Sequence, residues 1–405
     1  MKLLDSQVYA KKHLESWKVG ALFMDAGTGK TRVACELING VPDIDLVIWL
    51  CPLRMIKPNE NVPSISDEVQ KWKLFTADVL FVGIESIQNS DRIYFNIIDR
   101  IVSSQKTFVV VDESLKIKNA EAKRTKRILE IGKLVNYKLV LNGTPLSKNI
   151  LDIWPQMEFL SPLILNMSLA QFKNTFCRYT TVDKRFGGRL CYKKEYVTGM
   201  ENIDYLYSLI RSYIYRCDLK LNISQNYRNI NFRLSDKNQK EYTRLKNLYL
   251  DIDYLEFKNN NIFLEMTQKM QHVYSCEEDK FNKLDNLFKD IPEEKTIIFC
   301  KFINSREACE KRYPKAKVLS YQSQSFGLNL QNYNYTVYFD KFWDYAVRMQ
   351  SSRRTYRIGQ EYDCYYYDMT GNVGLENIID RNIRKKISMT EYFKSKTKED
   401  IKAEL

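Results

Sequence analysis

The chain has 405 residues, of which 44% are hydrophobic, so it can form two domain cores of ordinary size, or three if one is small. Its formal net charge of +13 favours a polyanionic partner such as nucleic acid. Nine scattered cysteines without a Cys-x-x-Cys pair exclude a zinc site and a disulfide framework, and no apolar run approaches the roughly 18 residues of a membrane span, so we expect a cytoplasmic protein with reduced thiols.

Short apolar runs alternate with helical patterns over residues 1–160, which is typical of a parallel sheet with crossover helices. The pattern therefore predicts an α/β lobe over 1–160. The predicted strands are 22–24, 46–51, 79–83, 107–111 and 138–142.

The first strand leads into a glycine loop and a helix-compatible segment. The loop reads Asp25-Ala-Gly-Thr-Gly-Lys-Thr31, although Met24 stands where the general phosphate-loop pattern has its first glycine. Gly27, Thr28 and Gly29 would bring backbone N–H groups close to phosphates at the helix N-terminus. Lys30 would reach the β- and γ-phosphates and Thr31 would bind Mg²⁺.

The fourth predicted strand ends in the adjacent carboxylates Asp112 and Glu113. Ligands of α/β sheets bind at the carboxyl ends of strands. Asp112 would hold Mg²⁺, and Glu113 would orient and deprotonate an attacking water. An acidic pair at this place is also compatible with a simple helix N-cap.

Residues 161–285 differ in character and form a predicted basic, aromatic-rich, largely helical insertion. Its first part, 161–235, holds twelve Lys or Arg, five Asp or Glu and eight Tyr. This mixture suits phosphate neutralisation and base stacking. A solvated basic face with tyrosines in a small core is an equally good interpretation.

A second βα series follows, with predicted strands at 296–300, 318–321, 336–339 and 365–369. The predicted fold is therefore α/β, with two parallel-sheet lobes at 1–160 and 286–405 flanking the insertion. The second lobe is trimmed, because the span between residues 301 and 327 has room for only about one helix and one strand, and we expect a helix at its C-terminus.

Four ordered segments carry a resemblance to one known family. They are Val111-Asp-Glu-Ser-Leu-Lys-Ile-Lys-Asn119, Leu141-Asn-Gly-Thr-Pro-Leu-Ser-Lys-Asn149, Phe326-Gly-Leu-Asn-Leu-Gln331 and Gln350-Ser-Ser-Arg-Arg-Thr-Tyr-Arg-Ile-Gly-Gln360. In this order they resemble the acidic box and the third, fifth and sixth motifs of the SWI/SNF ATPases of helicase superfamily two, in a compact bacterial or phage form. The last segment is the most specific match.

The resemblance implies RecA-like lobes that hydrolyse ATP with Mg²⁺ while moving along DNA. Gln7 is similar to the glutamine that reads adenine, and Gly327 and Gln350 belong to motifs expected to contact nucleotide. Arg354 and Arg357 match the arginines that reach the γ-phosphate from the second lobe.

The sequence differs from the family's motifs at two positions. Leu115 stands where histidine is usual, and Asn142 stands where threonine is usual. These positions normally transmit nucleotide state between motifs. We expect Arg54, Lys118 and Lys301 to contact DNA phosphates, which would make binding sequence-tolerant and salt-sensitive.

The predicted activity is that of a monomeric, DNA-dependent translocase or helicase of phage or bacterial replication, recombination or repair, with duplex DNA favoured over single-stranded or branched DNA. Two alternatives remain open from the sequence. One is a nucleotide-binding DNA clamp without turnover, and the other is a P-loop small-molecule kinase, against which the sixth motif argues.

Overall fold

The computed structural model describes residues 2–56, 64–143, 150–186, 189–251, 260–321, 330–357, 359–385 and 404. The chain forms two compact units, Met1–Leu219 and Lys220–Leu405, here called unit 1 and unit 2. Each unit has its own sheet and its own hydrophobic core. The prediction of two α/β lobes is confirmed.

Unit 1 contains a six-stranded sheet in the order β3-β2-β4-β5-β1-β8, and its pairings are parallel. All five strands predicted for the first lobe are present, and β8 adds an unpredicted edge. The strands of unit 1 are β1 (Val19–Met24), β2 (Leu46–Cys51), β3 (Asp78–Gly83), β4 (Thr107–Asp112), β5 (Tyr137–Asn142), β6 (Cys177–Phe186), β7 (Arg189–Met200) and β8 (Ile214–Cys217).

Helices cover both faces of this sheet, because alternate strand residues point to opposite faces and nearly all of them are apolar. On β1, Leu22 packs into one core and Phe23 into the other. The helices of unit 1 are α1 (Asp5–Leu14), α2 (Lys30–Asn39), α3 (Leu53–Ile56), α4 (Ile65–Trp72), α5 (Ile84–Asn89), α6 (Asp91–Val102), α7 (Lys123–Lys133), α8 (Trp154–Leu160), α9 (Pro162–Leu165), α10 (Leu169–Phe176) and α11 (Ile203–Ile210).

Unit 2 contains a five-stranded sheet in the order β11-β10-β12-β13-β9, again with parallel pairings. The four strands predicted for the second lobe are present. The strands are β9 (Gln225–Phe232), β10 (Thr296–Cys300), β11 (Lys317–Ser320), β12 (Tyr335–Tyr338) and β13 (Cys364–Gly371), and the helices are α12 (Asp236–Asp251), α13 (Asn260–Val273), α14 (Glu278–Leu287), α15 (Ile303–Arg312), α16 (Tyr345–Ser352) and α17 (Gly374–Lys385).

The predicted insertion, 161–285, is shared between the two units, since unit 1 ends at Leu219. It contains the expected helices together with four strands that the sequence did not predict. Strands β6 and β7 form an antiparallel two-stranded sheet of their own, whereas β8 and β9 each extend a parallel sheet at its edge. The predicted boundaries near residues 160 and 285 stay predictions.

The eight cysteines whose side chains the structure describes are all free thiols. Most of them are buried and pack as small apolar groups. Within the described part of the chain, none of the helices has the length and apolar character needed to cross a membrane.

Candidate nucleotide site

The glycine loop follows β1 and ends where α2 begins at Lys30. Gly27 and Gly29 have φ of 86° and 84°, in the left-handed region that favours glycine. A Cβ atom added to Gly29 would lie 2.3 Å from Nε2 of Gln7, so the close approach of this side chain also requires glycine. The sequence thus forms a tight loop whose backbone faces the start of a helix.

Gln7 lies on α1 and fixes this loop from the side. Its Nε2 donates to the carbonyl of Thr28 at 3.0 Å, and its Oε1 accepts from the backbone N–H of Leu4 at 3.1 Å. The side chain is buried, with 4% exposed. Both ends of the amide are therefore engaged, which holds Gln7 against the loop. Its predicted contact with adenine stays a prediction.

Lys30 and Thr28 are held by carbonyl groups of the loop itself. The Nζ of Lys30 donates to the carbonyl of Met24 at 2.8 Å and to that of Asp25 at 3.3 Å. The hydroxyl of Thr28 donates to the Asp25 carbonyl at 2.7 Å. Thr31 follows in the first turn of α2 and is half-buried. The ammonium of Lys30 consequently lies within the loop, where phosphates would bind.

Asp112 ends β4, and Glu113 follows in a left-handed conformation with φ 52° and ψ 53°. Burial, reinforced by the neighbouring charge of Glu113, raises the pKa of Asp112 to about 6. Lys30 counteracts this shift, so its ammonium and the Asp112 carboxylate share one electrostatic environment. A left-handed non-glycine residue is strained, and such strain concentrates at functional sites.

The sheet order brings the acidic pair and the phosphate loop together, since only β5 separates β4 from β1. Leu141 of β5 pairs in register with Asp112, and the next residue, Asn142, pairs with Phe23 of β1. A Cβ atom on Gly143 would lie 3.6 Å from the backbone N of Ala26. The end of β5 therefore touches the loop and borders the acidic pair.

This arrangement suits Mg²⁺ bound through phosphates, because that ion needs only one or two protein oxygens beside phosphate and water. Asp112 supplies a carboxylate and Thr31 a hydroxyl at the helix start. Among the residues that the structure describes, His, Cys, Asp and Glu do not gather in groups of three or more that could hold a metal ion. A Mg²⁺ site made of Thr31, Asp112 and a bound nucleotide requires no such group.

Two residues at this site were not predicted. The carboxylate of Asp25 is buried and accepts from the backbone N–H of Leu219 at 2.9 Å, just beyond β8. The side chain of Gln156, on α8, contacts the hydroxyl of Ser114 beside the acidic pair. Both contacts bridge distant parts of the sequence, so no local pattern could have indicated them.

The arginine motif lies in unit 2, on α16 and the turn after it. Gln350 is on α16 and half-buried, Arg354 is 8% exposed, and Arg357 is half-buried. The backbone N–H of Gln360 closes the turn by donating to the carbonyl of Arg357 at 3.0 Å, and its Nε2 donates to the carbonyl of Tyr333 at 2.9 Å. Gly327, which was predicted to contact nucleotide, lies outside the described residues.

The three predicted DNA contacts all follow the carboxyl ends of strands. Arg54 is exposed on α3 after β2, and Lys118 is half-buried after the 3₁₀ turn that follows β4. Lys301 follows β10 but is largely covered, since its ammonium contacts Oε1 of Gln271 and lies 5.1 Å from the Phe302 ring centroid. Burial lowers the pKa of Lys301 to about 8.

Comparison with known proteins identifies relatives along most of the chain. It is 25% identical to an uncharacterized ATP-dependent helicase of Mycoplasma genitalium over 86% of this chain and 37% of that protein. It is 22% identical to a putative ATP-dependent helicase/translocase of Bacillus subtilis over 70% of this chain and 35% of that protein. The chain thus spans under two fifths of the length of these curated relatives.

Similarity also extends to eukaryotic and archaeal proteins. The transcription regulatory protein SNF2 of Saccharomyces cerevisiae is 20% identical over 91% of this chain and 26% of its own length. A solved Sulfolobus solfataricus SWI2/SNF2 ATPase core in complex with dsDNA aligns with a TM-score of 0.41 and 18% identity, covering all of this chain and 94% of that one.

One family model covers more than half of the chain. The model describes the SNF2-related domain and matches residues 60–313. The matched range includes the acidic pair, the end of β5 and strands β10 and β9 of unit 2. The chain belongs to the SNF2-related domain family.

Proposed function

We propose that the chain hydrolyses ATP and uses the energy to move along DNA. The main support is that the phosphate loop after β1 and the acidic pair after β4 lie at the same edge of one sheet with only β5 between them, and that Lys30 is close enough to Asp112 to influence its pKa. Membership of the SNF2-related domain family supports it. The bacterial relatives are named as ATP-dependent helicases, which agrees with this proposal.

Each residue of the site in unit 1 has a distinct role in this proposal. The loop N–H groups and Lys30 bind the phosphates, and Thr31 with Asp112 holds Mg²⁺, which neutralises the charge of the phosphoryl oxygens when bound. Glu113 accepts a proton from the attacking water. Gln7 selects adenine through its oriented amide.

The arginine motif of unit 2 completes the proposed reaction. Charge accumulates on the γ-phosphoryl oxygens in the transition state, and a guanidinium placed there accelerates hydrolysis by about 10³ to 10⁵. Arg354 and Arg357 are the candidates. Gln350 and Gly327 are proposed to contact the nucleotide from the same unit.

DNA is the proposed track, with duplex favoured and single-stranded or branched DNA as alternatives. Arg54 and Lys118 lie at the same edge of the sheet as the nucleotide site, because both follow the carboxyl end of a strand. Lys301 has the corresponding position in unit 2. The net charge of +13 favours phosphate contacts. We place the activity in phage or bacterial replication, recombination or repair, in the cytoplasm.

DNA binding and its coupling to ATP can be tested together with two variants of equal charge. Arg54→Ala removes a cation at the nucleotide edge of the sheet, whereas Lys133→Ala removes one at the end of α7, which lies at the opposite edge. We expect Arg54→Ala to reduce the slope of log affinity for duplex DNA against log salt by about 1, with Lys133→Ala unchanged.

Phosphate release in the same samples distinguishes the possible tracks. Duplex stimulation supports a translocase, and stimulation only by single-stranded DNA supports an unwinding helicase. Affinity that does not change with salt would contradict the proposed phosphate contacts. ATP binding without phosphate release under any condition would contradict hydrolysis and favour a nucleotide-dependent clamp.

A further inference from the structure

A buried chain of hydrogen bonds adjoins the acidic pair. The Nδ2 of Asn142 donates to the hydroxyl of Ser114 at 3.4 Å, and that hydroxyl donates to Oε1 of Gln156 at 2.6 Å. The Nε2 of Gln156 then donates to the carbonyl of Asp152 at 2.7 Å. Ser114 and Gln156 are completely buried, and Asn142 is 1% exposed. These hydrogen bonds join β5, the acidic box and α8.

The donors and acceptors of these three hydrogen bonds fit in one direction only. Because Nε2 of Gln156 is directed at a carbonyl, its Oε1 must face Ser114 and can only accept. The Ser114 hydroxyl therefore donates to Gln156 and accepts from Asn142. Reversing any one amide would place two donors or two acceptors together in a dry site, which is costly. The Ser114 side chain is consequently fixed.

A fixed Ser114 restrains the residue before it. Glu113 has the left-handed φ of 52°, and its carbonyl accepts from the N–H of Lys116 at 2.9 Å, which starts the 3₁₀ turn Ser114–Ile117. A strained residue keeps such a conformation only when its surroundings determine it. The anchoring of Ser114 by Gln156 is one such determinant of the Glu113 backbone.

Asn142, at the other end of these hydrogen bonds, reaches β1, the strand that precedes the phosphate loop. Asn142 pairs in register with Phe23 of β1, and the next residue, Gly143, lies against the loop backbone. Asn142 and Leu115 are also the two positions where this sequence departs from the ATPases it resembles. The Asn142 amide contacts the hydroxyl of Ser114, so Ser114 connects the end of β5 with the acidic box.

We propose that Gln156 is a positioning residue for ATP hydrolysis. It holds Ser114, and through Ser114 it sets the backbone of the general base Glu113 and links it to the strand end at Asn142. This inference rests on the proposed ATPase function and adds to it a residue that belongs to none of the motifs found in the sequence.

The test compares steady-state hydrolysis by Gln156→Leu, Ser114→Ala and the double variant in the full chain. Gln156→Leu removes the hydrogen bonds of Gln156 with Ser114 and Asp152 at similar side-chain volume. Ser114→Ala removes the shared hydroxyl with the smallest change in packing.

We expect kcat to fall about tenfold or more in each single variant, because a misplaced base costs transition-state stabilisation, while KM for ATP changes less than about twofold. We expect kcat of the double variant to fall no further than that of the slower single variant, because each single variant already lacks the Ser114–Gln156 hydrogen bond.

Thr107→Val is the matched control. The Thr107 hydroxyl is buried and donates to Ser104 at 2.9 Å, at the start of β4 and so at the end opposite Asp112. The Thr107→Val variant loses one buried hydroxyl on the strand that ends at Asp112. We expect its kcat to stay within about twofold of wild type at a comparable Tm.

The outcomes separate this inference from the function on which it rests. If wild type hydrolyses ATP and both single variants keep kcat within about twofold, Gln156 has no positioning role. An equal fall of kcat in Thr107→Val would assign the effect to stability and overturn the inference. A wild-type chain without phosphate release would overturn the proposed function, and the inference with it.

Discussion

Glu113 and Asp112 show how far single residues were predictable. The sequence pattern of an apolar strand followed by two carboxylates predicted that Asp112 and Glu113 lie at the end of a strand, and the structure places them there. The left-handed backbone of Glu113 and the Gln156 contact were not predictable, because both depend on α8, which follows more than forty residues later. Short motifs encode local geometry, whereas buried hydrogen bonds across elements require the fold.

The raised pKa of Asp112 predicts a pH-dependent stability in the absence of Mg²⁺ and nucleotide. Its folded pKa of about 6 exceeds the unfolded value of roughly 3.9, so between these values the native state holds a proton that the unfolded state has lost. Stability therefore falls as pH rises from about 4 to about 6 and then levels off. The shift corresponds to about 3 kcal/mol as an order of magnitude.

Asp112→Asn should remove this contribution. With EDTA present, we expect the free energy of unfolding of Asp112→Asn relative to wild type to increase by about 3 kcal/mol between pH 4 and pH 7. Urea unfolding followed by tryptophan fluorescence is suitable, because four of the five tryptophans lie in unit 1. A difference that does not vary with pH would show that Asp112 ionises normally in the folded protein.

At the scale of elements, burial explains which strands the sequence predicted. Strands β2, β4 and β10 are buried along their whole length, and their continuous apolar runs identified them. Strand β9 was missed because it is a polar, largely exposed edge strand. Such edges carry polar residues that prevent association with other strands, so their sequences resemble loops.

One buried ion pair joins elements of unit 2 and gives a stability prediction. Lys280 of α14 lies 2.8 Å from the carboxylate of Asp340, which follows β12, and the two side chains are 2% and 3% exposed. The ammonium also lies 4.1 Å from the Phe339 ring centroid. Lys280→Met would leave the Asp340 carboxylate buried without its counter-charge, so we expect a loss of about 3–5 kcal/mol in the free energy of unfolding.

The matched control for this change is the exposed pair of Lys269 and Glu265, whose side chains are each 54% exposed. Lys269→Met should cost no more than about 0.5 kcal/mol, because exposed pairs on one helix contribute little. Chemical denaturation followed by circular dichroism measures both variants. Equal losses would show that the Lys280 pair does not carry the stability assigned to it.

At the scale of the whole molecule, the order of motifs predicted the family and the two lobes, but the division of the chain was less predictable. The basic segment 161–235 reads as a separate insertion because its charge and tyrosine content differ from its surroundings. In the structure its strands β8 and β9 complete the sheets of different units. Composition changes with surface exposure and partners, whereas unit boundaries follow strand pairing between distant residues.

ATP hydrolysis at this site can be measured as phosphate release from ATP and Mg²⁺ in the presence of duplex DNA. Glu113→Gln removes the proposed base, and Glu121→Gln, which changes an exposed glutamate of the same unit, is its control. We predict turnover by wild type and Glu121→Gln, with kcat lowered by about 10² or more in Glu113→Gln and abolished in Lys30→Ala. Turnover by Glu113→Gln at the wild-type rate would show that Glu113 is not the general base of this site.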